Sequence, residues 1–212
     1  MRFTKYIAVL GLALAIALLV PAAHADTYNL TVQNGGIIPT ASSYGTVTVT
    51  CSSSTSCTID FKATAGYWFH NAGVGWNQAT LDAGDSISSE VPTCTTTTGA
   101  TCTFNSGGDH FDGYGSFTDS VSGGTGSSSG NTEISILITG VDLQTSDFEV
   151  SNGNAHFAAA VSPAGSCPEG VSSCTGYAAD SGSINVPEPG TFALLGMGIV
   201  GLVGLRRKRV TA

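Results

Sequence analysis

Basic residues are almost missing from the interior of this 212-residue chain. Six of the seven Lys and Arg lie at the ends (Arg2, Lys5, Arg206, Arg207, Lys208 and Arg209), leaving only Lys62 between Asp26 and Pro187. Fourteen of the 15 acidic residues share that interval, so one base against fourteen acids gives it a formal charge of −13. Nucleic acid is thereby excluded as a partner, because phosphate binding needs clustered Lys and Arg. Charged residues make up only 10% of the chain, which is too few for the polar faces of a helical bundle. No stretch of ten or more residues between positions 26 and 186 carries an amphipathic helical stripe. There is no C-x-x-C pair, and no His sits at finger spacing from a Cys, so the signature of a zinc site is missing. Simple disorder is disfavoured as well, since hydrophobic residues reach 42%.

What the interior does have is period-two alternation, the mark of half-buried strands. Tyr28, Leu30 and Val32 share one face, Val47 and Val49 alternate with threonines, and Ile59 and Phe61 alternate with Asp60 and Lys62. Ile134, Ile136 and Ile138 form the clearest series; Phe148 with Val150, and Phe157 with Ala159 and Val161, supply two more. Asn34-Gly35-Gly36, Asp112-Gly113 and Asn152-Gly153 are turn signals. The expectation is an all-β ectodomain, an antiparallel β-sandwich over residues 26–177. Ser120 to Gly130 reads as a flexible Gly/Ser loop within it, and residues 178–185 read as a spacer. The six cysteines fall in sequence-local pairs, Cys51/Cys57, Cys94/Cys102 and Cys167/Cys174, which suits an oxidised, exported protein with three local disulfides.

The two ends are addresses. Residues 1–25 have the parts of a secretory signal peptide: Arg2 and Lys5, an apolar helix from Tyr6 to Val20, and the small-x-small site Ala23-His24-Ala25. Signal peptidase is expected to leave Asp26 as the mature N-terminus; an uncleaved anchor is the alternative, and the apolar run is short for a full span. The tail, residues 186–209, reads Pro187-Glu188-Pro189-Gly190, then an apolar run from Thr191 to Leu205, then Arg206-Arg207-Lys208-Arg209. As a helix the run would be about 22 Å long, enough for a brief halt in a bilayer as a single transmembrane helix. The basic cluster would stay cytoplasmic and act as the stop-transfer signal, leaving everything before Pro187 outside.

This three-part ending closely resembles the PEP-CTERM sorting signal of Gram-negative bacteria, on the strength of Pro187-Glu188-Pro189, the Gly-rich apolar run and the Arg/Lys terminus. The resemblance covers about the last 25 residues and does not extend to the ectodomain. It implies an exosortase-like processing enzyme that removes the tail, a transient inner-membrane anchor, and delivery to the cell surface, outer envelope or extracellular matrix, in company with exopolysaccharide and biofilm formation. Within the tail, Gly196 to Gly201 spells G-x-G-x-x-G, but a membrane segment is not the βαβ setting in which that pattern binds dinucleotides.

Sites within the ectodomain are few. Gly126-Ser127-Ser128-Ser129-Gly130 matches a nucleophile elbow only in letters, lying in a low-complexity linker. Asp109 and Asp112, in a Gly-rich turn, are candidate Ca²⁺ ligands, with Asp82 and Asp85 as contributors if the fold brings them near. A solvated turn is the commoner use of such Asp and Gly residues. Tyr67, Trp68, Phe69, His70 and Trp76 could stack on sugars or pack a core. His70, His110 and His156 show neither metal-ligand spacing nor a Ser or Cys partner. No catalytic residue and no required cofactor emerge. The reading is a non-enzymatic surface or matrix protein, structural, adhesive or exopolysaccharide-associated. The alternatives are an extracellular carbohydrate-binding module, which would expose Trp68 or Trp76, and a glycan-acting hydrolase, which would need two carboxylates about 5–10 Å apart.

Overall fold

The computed structural model describes residues 24–34, 37, 40–96, 102–123, 130–165, 167, 169 and 174–181; the apolar part of the leader and the whole sorting tail lie outside them. Strands β1 (His24–Asn34), β2 (Gly45–Ser53) and β3 (Ser56–Ala63) form an antiparallel meander. Alternation decides what each buries: Tyr28, Leu30, Val47, Val49, Ile59 and Phe61 are completely inside, and the intervening threonines are not. Strand β4 (Tyr67–Trp76) follows β3 round a corner rather than a hairpin. Both run antiparallel to β10 (Asn131–Val141), whose Ile134 faces Phe61 and whose Asn131 faces Phe69.

β11 (Phe157–Pro163) pairs with β4 on one side and with β12 (Gly176–Asp180) on the other, and β12 pairs with the second half of β1. The order β10-β3-β2-β1-β12-β11-β4 therefore closes on itself at Asn131 and Phe69. The all-β, antiparallel expectation holds, but the two separable sheets of a sandwich do not: the ectodomain is a closed seven-stranded barrel. The reason lies in strands that change partners. β1 pairs with β2 through residues 24–30 and with β12 through residues 30–34, with an irregularity between Leu30 and Val32 that turns Val32 outward to 42% exposure. β4 carries three extra residues against β11 between Phe69 and Val74. That excursion needs Gly73, whose φ is +66° and whose missing Cβ leaves room for the Val121 carbonyl.

Two wings flank the closure. β5 (Ser86–Thr96) lies along β10, and β9 (Asp119–Gly123) with β6 (Cys102–Asn105) lies along β4; the Cys94–Cys102 disulfide ties them together. Cys51–Cys57 staples the β2–β3 hairpin, and Cys167–Cys174 closes the segment before β12, so all three expected local bridges form. β7 (Asp109–Phe111) and β8 (Gly115–Phe117) make a separate ribbon over a small second cluster of Phe111, Phe117, Ala158 and Ala179.

Three boundaries differ from the sequence reading. Phe148 is buried but follows a 3₁₀ turn at Thr145–Asp147 instead of belonging to a strand with Val150. Ser120 to Gly123 form β9, with Ser120 buried against the Gly75 pairing; polar side chains do not prevent a strand whose neighbours supply the apolar contacts. Ala178, Ala179 and Asp180, read as spacer, are buried in β12, where small residues fit between β1 and β11. No helix among the described residues is long and apolar enough to cross a membrane; the leader and tail helices expected from the sequence fall outside those residues.

The barrel interior is filled rather than open at its centre. The Phe61 ring lies 6.4, 6.5 and 5.9 Å from the ring centres of Phe69, Trp76 and Phe157. Phe61→Ala is expected to lower the free energy of unfolding by about 3–5 kcal/mol in a urea titration, the usual range for a buried Phe cut back to Ala. Leu137→Ser on the outer face of β10, at 45% exposure, should stay within about 0.5 kcal/mol of wild type.

Candidate functional site

Most of the residues singled out in the sequence take structural roles. Asp109 accepts a hydrogen bond from the His110 backbone N–H at 2.8 Å, while Asp112 is well exposed. Asp82 and Asp85 do not join them; their charges act on Asp147. Among the described residues no group of three or more His, Cys, Asp or Glu is arranged to hold a metal ion. Trp76 is fully buried, Tyr67 packs edge-on against Tyr44, and Phe69 is in the core, which removes the first three as sugar platforms and leaves Trp68 half-buried. Trp68 packs instead against Gly130, where a Cβ would collide with it. His70 is buried in the β4 excursion with neither ring nitrogen in hydrogen-bonding geometry to a described partner. Burial lowers its pKa, an effect only partly offset by the Val161 backbone.

One Ser–His contact absent from the sequence reading does form. His110 and Ser116 face each other across the β7–β8 ribbon, with Nδ1 3.2 Å from Oγ and Nε2 3.8 Å from an Asp112 oxygen. His110 and Asp112 are 61% and 74% exposed, so water screens the group and nothing desolvates the hydroxyl. It lacks the dry setting that nucleophilic catalysis needs.

The residues with perturbed chemistry are carboxylates that the fold buries wholly or in part. On β5, Glu90 lies opposite Ile138 and so follows the inward phase of Pro92 and Cys94. Burial pushes its pKa up to about 7, and the Asp119 charge on β9 adds to the effect. Asp119 is itself raised by burial, partly offset by the Thr118 hydroxyl that donates to it at 2.8 Å. On β3, burial and then the Glu133 carboxylate raise Asp60 to about 6, against the opposing pull of Lys62.

The largest group gathers beside the first residues of β1. Asp26, in phase with Tyr28, is buried; Glu149 comes from the segment after the 3₁₀ turn; Asp180 ends β12. Burial raises Glu149 to about 7, with the Asp26 carboxylate as the next cause. Asp180 is held by this chain's own donors. The backbone N–H groups of His156 and Phe157 each donate to one of its oxygens at 2.9 Å, and His156 Nδ1 meets the other at 2.9 Å. The Tyr28 ring lies 5.3 Å from His156 and 4.8 Å from Phe157. Sequence alternation does place Asp26 in phase with Tyr28; the sequence reading names no strand around Glu90, and nothing in it brings Glu149 or Asp180 to the same spot.

These raised carboxyls set a pH dependence. Each binds its proton more tightly folded than unfolded, so stability is lost as pH rises from the unfolded value of 4.5 to about 7 for Glu90 and Glu149. His70 works in the opposite sense, since its neutral buried ring is penalised as pH falls below its unfolded value. Glu90→Gln is therefore expected to flatten the decline of the urea midpoint between pH 5 and 7.5 relative to wild type; parallel curves would show that Glu90 titrates normally.

Comparison with known proteins adds one finding, at the tail. Residues 185–209 match the family model of the PEP-CTERM protein-sorting motif, and the motif implies export and processing by an exosortase-type enzyme. No curated protein and no solved structure matches the chain. The stretch from Asn185 to Arg209 is thus a PEP-CTERM sorting motif, attached to an all-β, disulfide-bonded domain.

Proposed function

We propose that this is a non-enzymatic protein of the cell surface or extracellular matrix, with structural or adhesive work in association with exopolysaccharide. On this reading signal peptidase removes residues 1–25, the tail halts briefly in the inner membrane, and an exosortase-type enzyme cuts it away. The sorting motif at residues 185–209 is the observation that carries the reading. Two features support it. The barrel is packed with aromatic rings at its centre, as in a scaffold. Its local disulfides suit an oxidising compartment without redox control.

The test is fractionation of the native host. Wild-type protein is expected in the envelope or matrix with its C-terminus trimmed. Replacing Pro187, Glu188 and Pro189 with alanine is expected to leave an untrimmed chain in the inner membrane. Equal distribution of both forms would overturn the sorting reading. Co-sedimentation of the mature domain with the host's own exopolysaccharide is expected to retain it in the pellet, and its complete recovery in the supernatant would remove the polysaccharide association.

Glu90 and Asp119 favour a second reading, a glycan-acting hydrolase in which Glu90, carrying a proton near neutral pH, is the acid. Incubation with the same exopolysaccharide separates the two. Release of new reducing ends by wild type but not by Glu90→Gln would establish the hydrolase; no release by either is expected.

A further inference from the structure

The chain contains two Asn-Gly steps, Asn34-Gly35 and Asn152-Gly153. Such a step is chemically weak for a reason internal to the pair. The backbone nitrogen that follows an Asn can attack the side-chain carbonyl carbon, and a glycine leaves that nitrogen unshielded by any Cβ and its φ unrestricted. The fold treats the two asparagines in opposite ways. Asn152 is held at both ends of its amide. Its Nδ2 donates to the Tyr114 and Ser116 carbonyls at 2.8 and 3.2 Å, and its Oδ1 accepts from the Asn154 and Ala155 N–H groups at 3.0 and 3.1 Å. Turning that amide toward the Gly153 nitrogen breaks all four bonds. Asn34 is exposed at the end of β1, and among the described residues its side chain makes one hydrogen bond, from Nδ2 to the Asp112 carbonyl at 2.7 Å.

We infer that Asn34-Gly35 is a self-modification site, where slow loss of ammonia from Asn34 releases the β7–β8 ribbon from β1. In the reaction the Gly35 nitrogen forms a bond to Asn34 Cγ while the Cγ–Nδ2 bond breaks. The Gly35 amide proton leaves with Nδ2 as ammonia. Water then opens the five-membered succinimide at either carbonyl, giving aspartate or, through the side-chain linkage, isoaspartate. The net change is one water consumed, one ammonia released and one carboxylate gained, with no oxidant, cofactor or enzyme.

The product cannot do what Asn34 does. A carboxylate at position 34 has no N–H for the Asp112 carbonyl and meets that oxygen with negative charge. It also adds to a ribbon that already carries Asp109 and Asp112. Asn34 packs over Gly113, where a Cβ would lie 2.4 Å from Nδ2, so the new charge has no room to turn away on that side. A second tie between ribbon and β1 is the Tyr114 hydroxyl, which donates to the Val32 carbonyl at 2.7 Å. Isoaspartate further lengthens the backbone by one atom opposite Tyr177, whose ring lies 5.7 Å from Phe111. Modification therefore loosens the corner where β1, β12 and the ribbon meet, and uncovers Phe111 and Phe117 of the second apolar cluster.

The measurement is ageing of the folded protein, recovered from its own export route, in H₂¹⁸O at mildly alkaline pH, followed by peptide mapping. Each conversion retains one ¹⁸O. Asn34 is expected to convert at least about tenfold faster than Asn152, whose four hydrogen bonds must open first. In urea the two rates are expected to converge, and a gap that persists there overturns the role given to those hydrogen bonds. Chymotrypsin is expected to cut the converted fraction at Phe111 and Phe117 severalfold faster than the unconverted one, and Asn34→Asp to reproduce part of that gain. If Asn34→Asp does not fold, both wild-type readouts stand without it. Equal retention of the amide at Asn34 and Asn152 in the folded protein overturns the site. Conversion at Asn34 without faster cutting of the ribbon overturns the release.

Discussion

Phe61 is the residue around which the barrel closes. It sits on β3, yet its ring meets Phe69 and Trp76 from β4 and Phe157 from β11, strands two and three places away round the barrel across the closure. A closed sheet has an interior of limited width, and every strand must present side chains that fill it without gaps. The three isoleucines of β10 and the valines of β2 supply branched bulk along one wall, while Ala159 and Ala178 keep β11 and β12 small where the aromatic rings press in. Large against small across the interior is what lets seven strands close, and the corner excursions of β1 and β4 are what let strands cross from one wall to another.

Alternation made most of this barrel legible. Wherever a strand is regular, inward residues were correctly placed by period two, as in Tyr28 and Leu30, Ile59 and Phe61, and Ile134 to Ile138. The pairing of cysteines followed from their spacing, because partners six to eight residues apart sit across a hairpin or a tight wing. What remained hidden was non-local. Closure between Asn131 and Phe69 joins residues more than sixty positions apart, and a sandwich and a barrel present the same alternating faces. Irregular pairing defeated the phase at Val32 and His70. Weakly patterned segments, Ser120 to Gly123 and Ala178 to Asp180, became strands because their neighbours, not their own composition, supply the apolar contacts.

The electrostatics follow from the scarcity of bases. Acidic side chains on well-exposed positions are solvated and cost little, but the alternation of β1 sends the Asp26 carboxylate inward with Tyr28. The chain meets this in two ways. Asp180 receives two backbone donors and an imidazole, which keeps its charge tolerable inside. For Glu90, Asp60 and Glu149, burial and neighbouring carboxylates raise the pKa, so that a bound proton removes the charge.

The position of β12 ties sorting to folding. The last buried residue among the described ones is Asp180, at the end of β12, and the sorting motif begins at residue 185. The four residues between them, 181–184, can span at most about 14 Å even when fully extended. An enzyme that cuts at the start of the motif therefore works within that distance of the folded barrel, or acts before β12 docks. If β12 docks first, the short tether that follows the strand limits how far the motif can be drawn from the barrel.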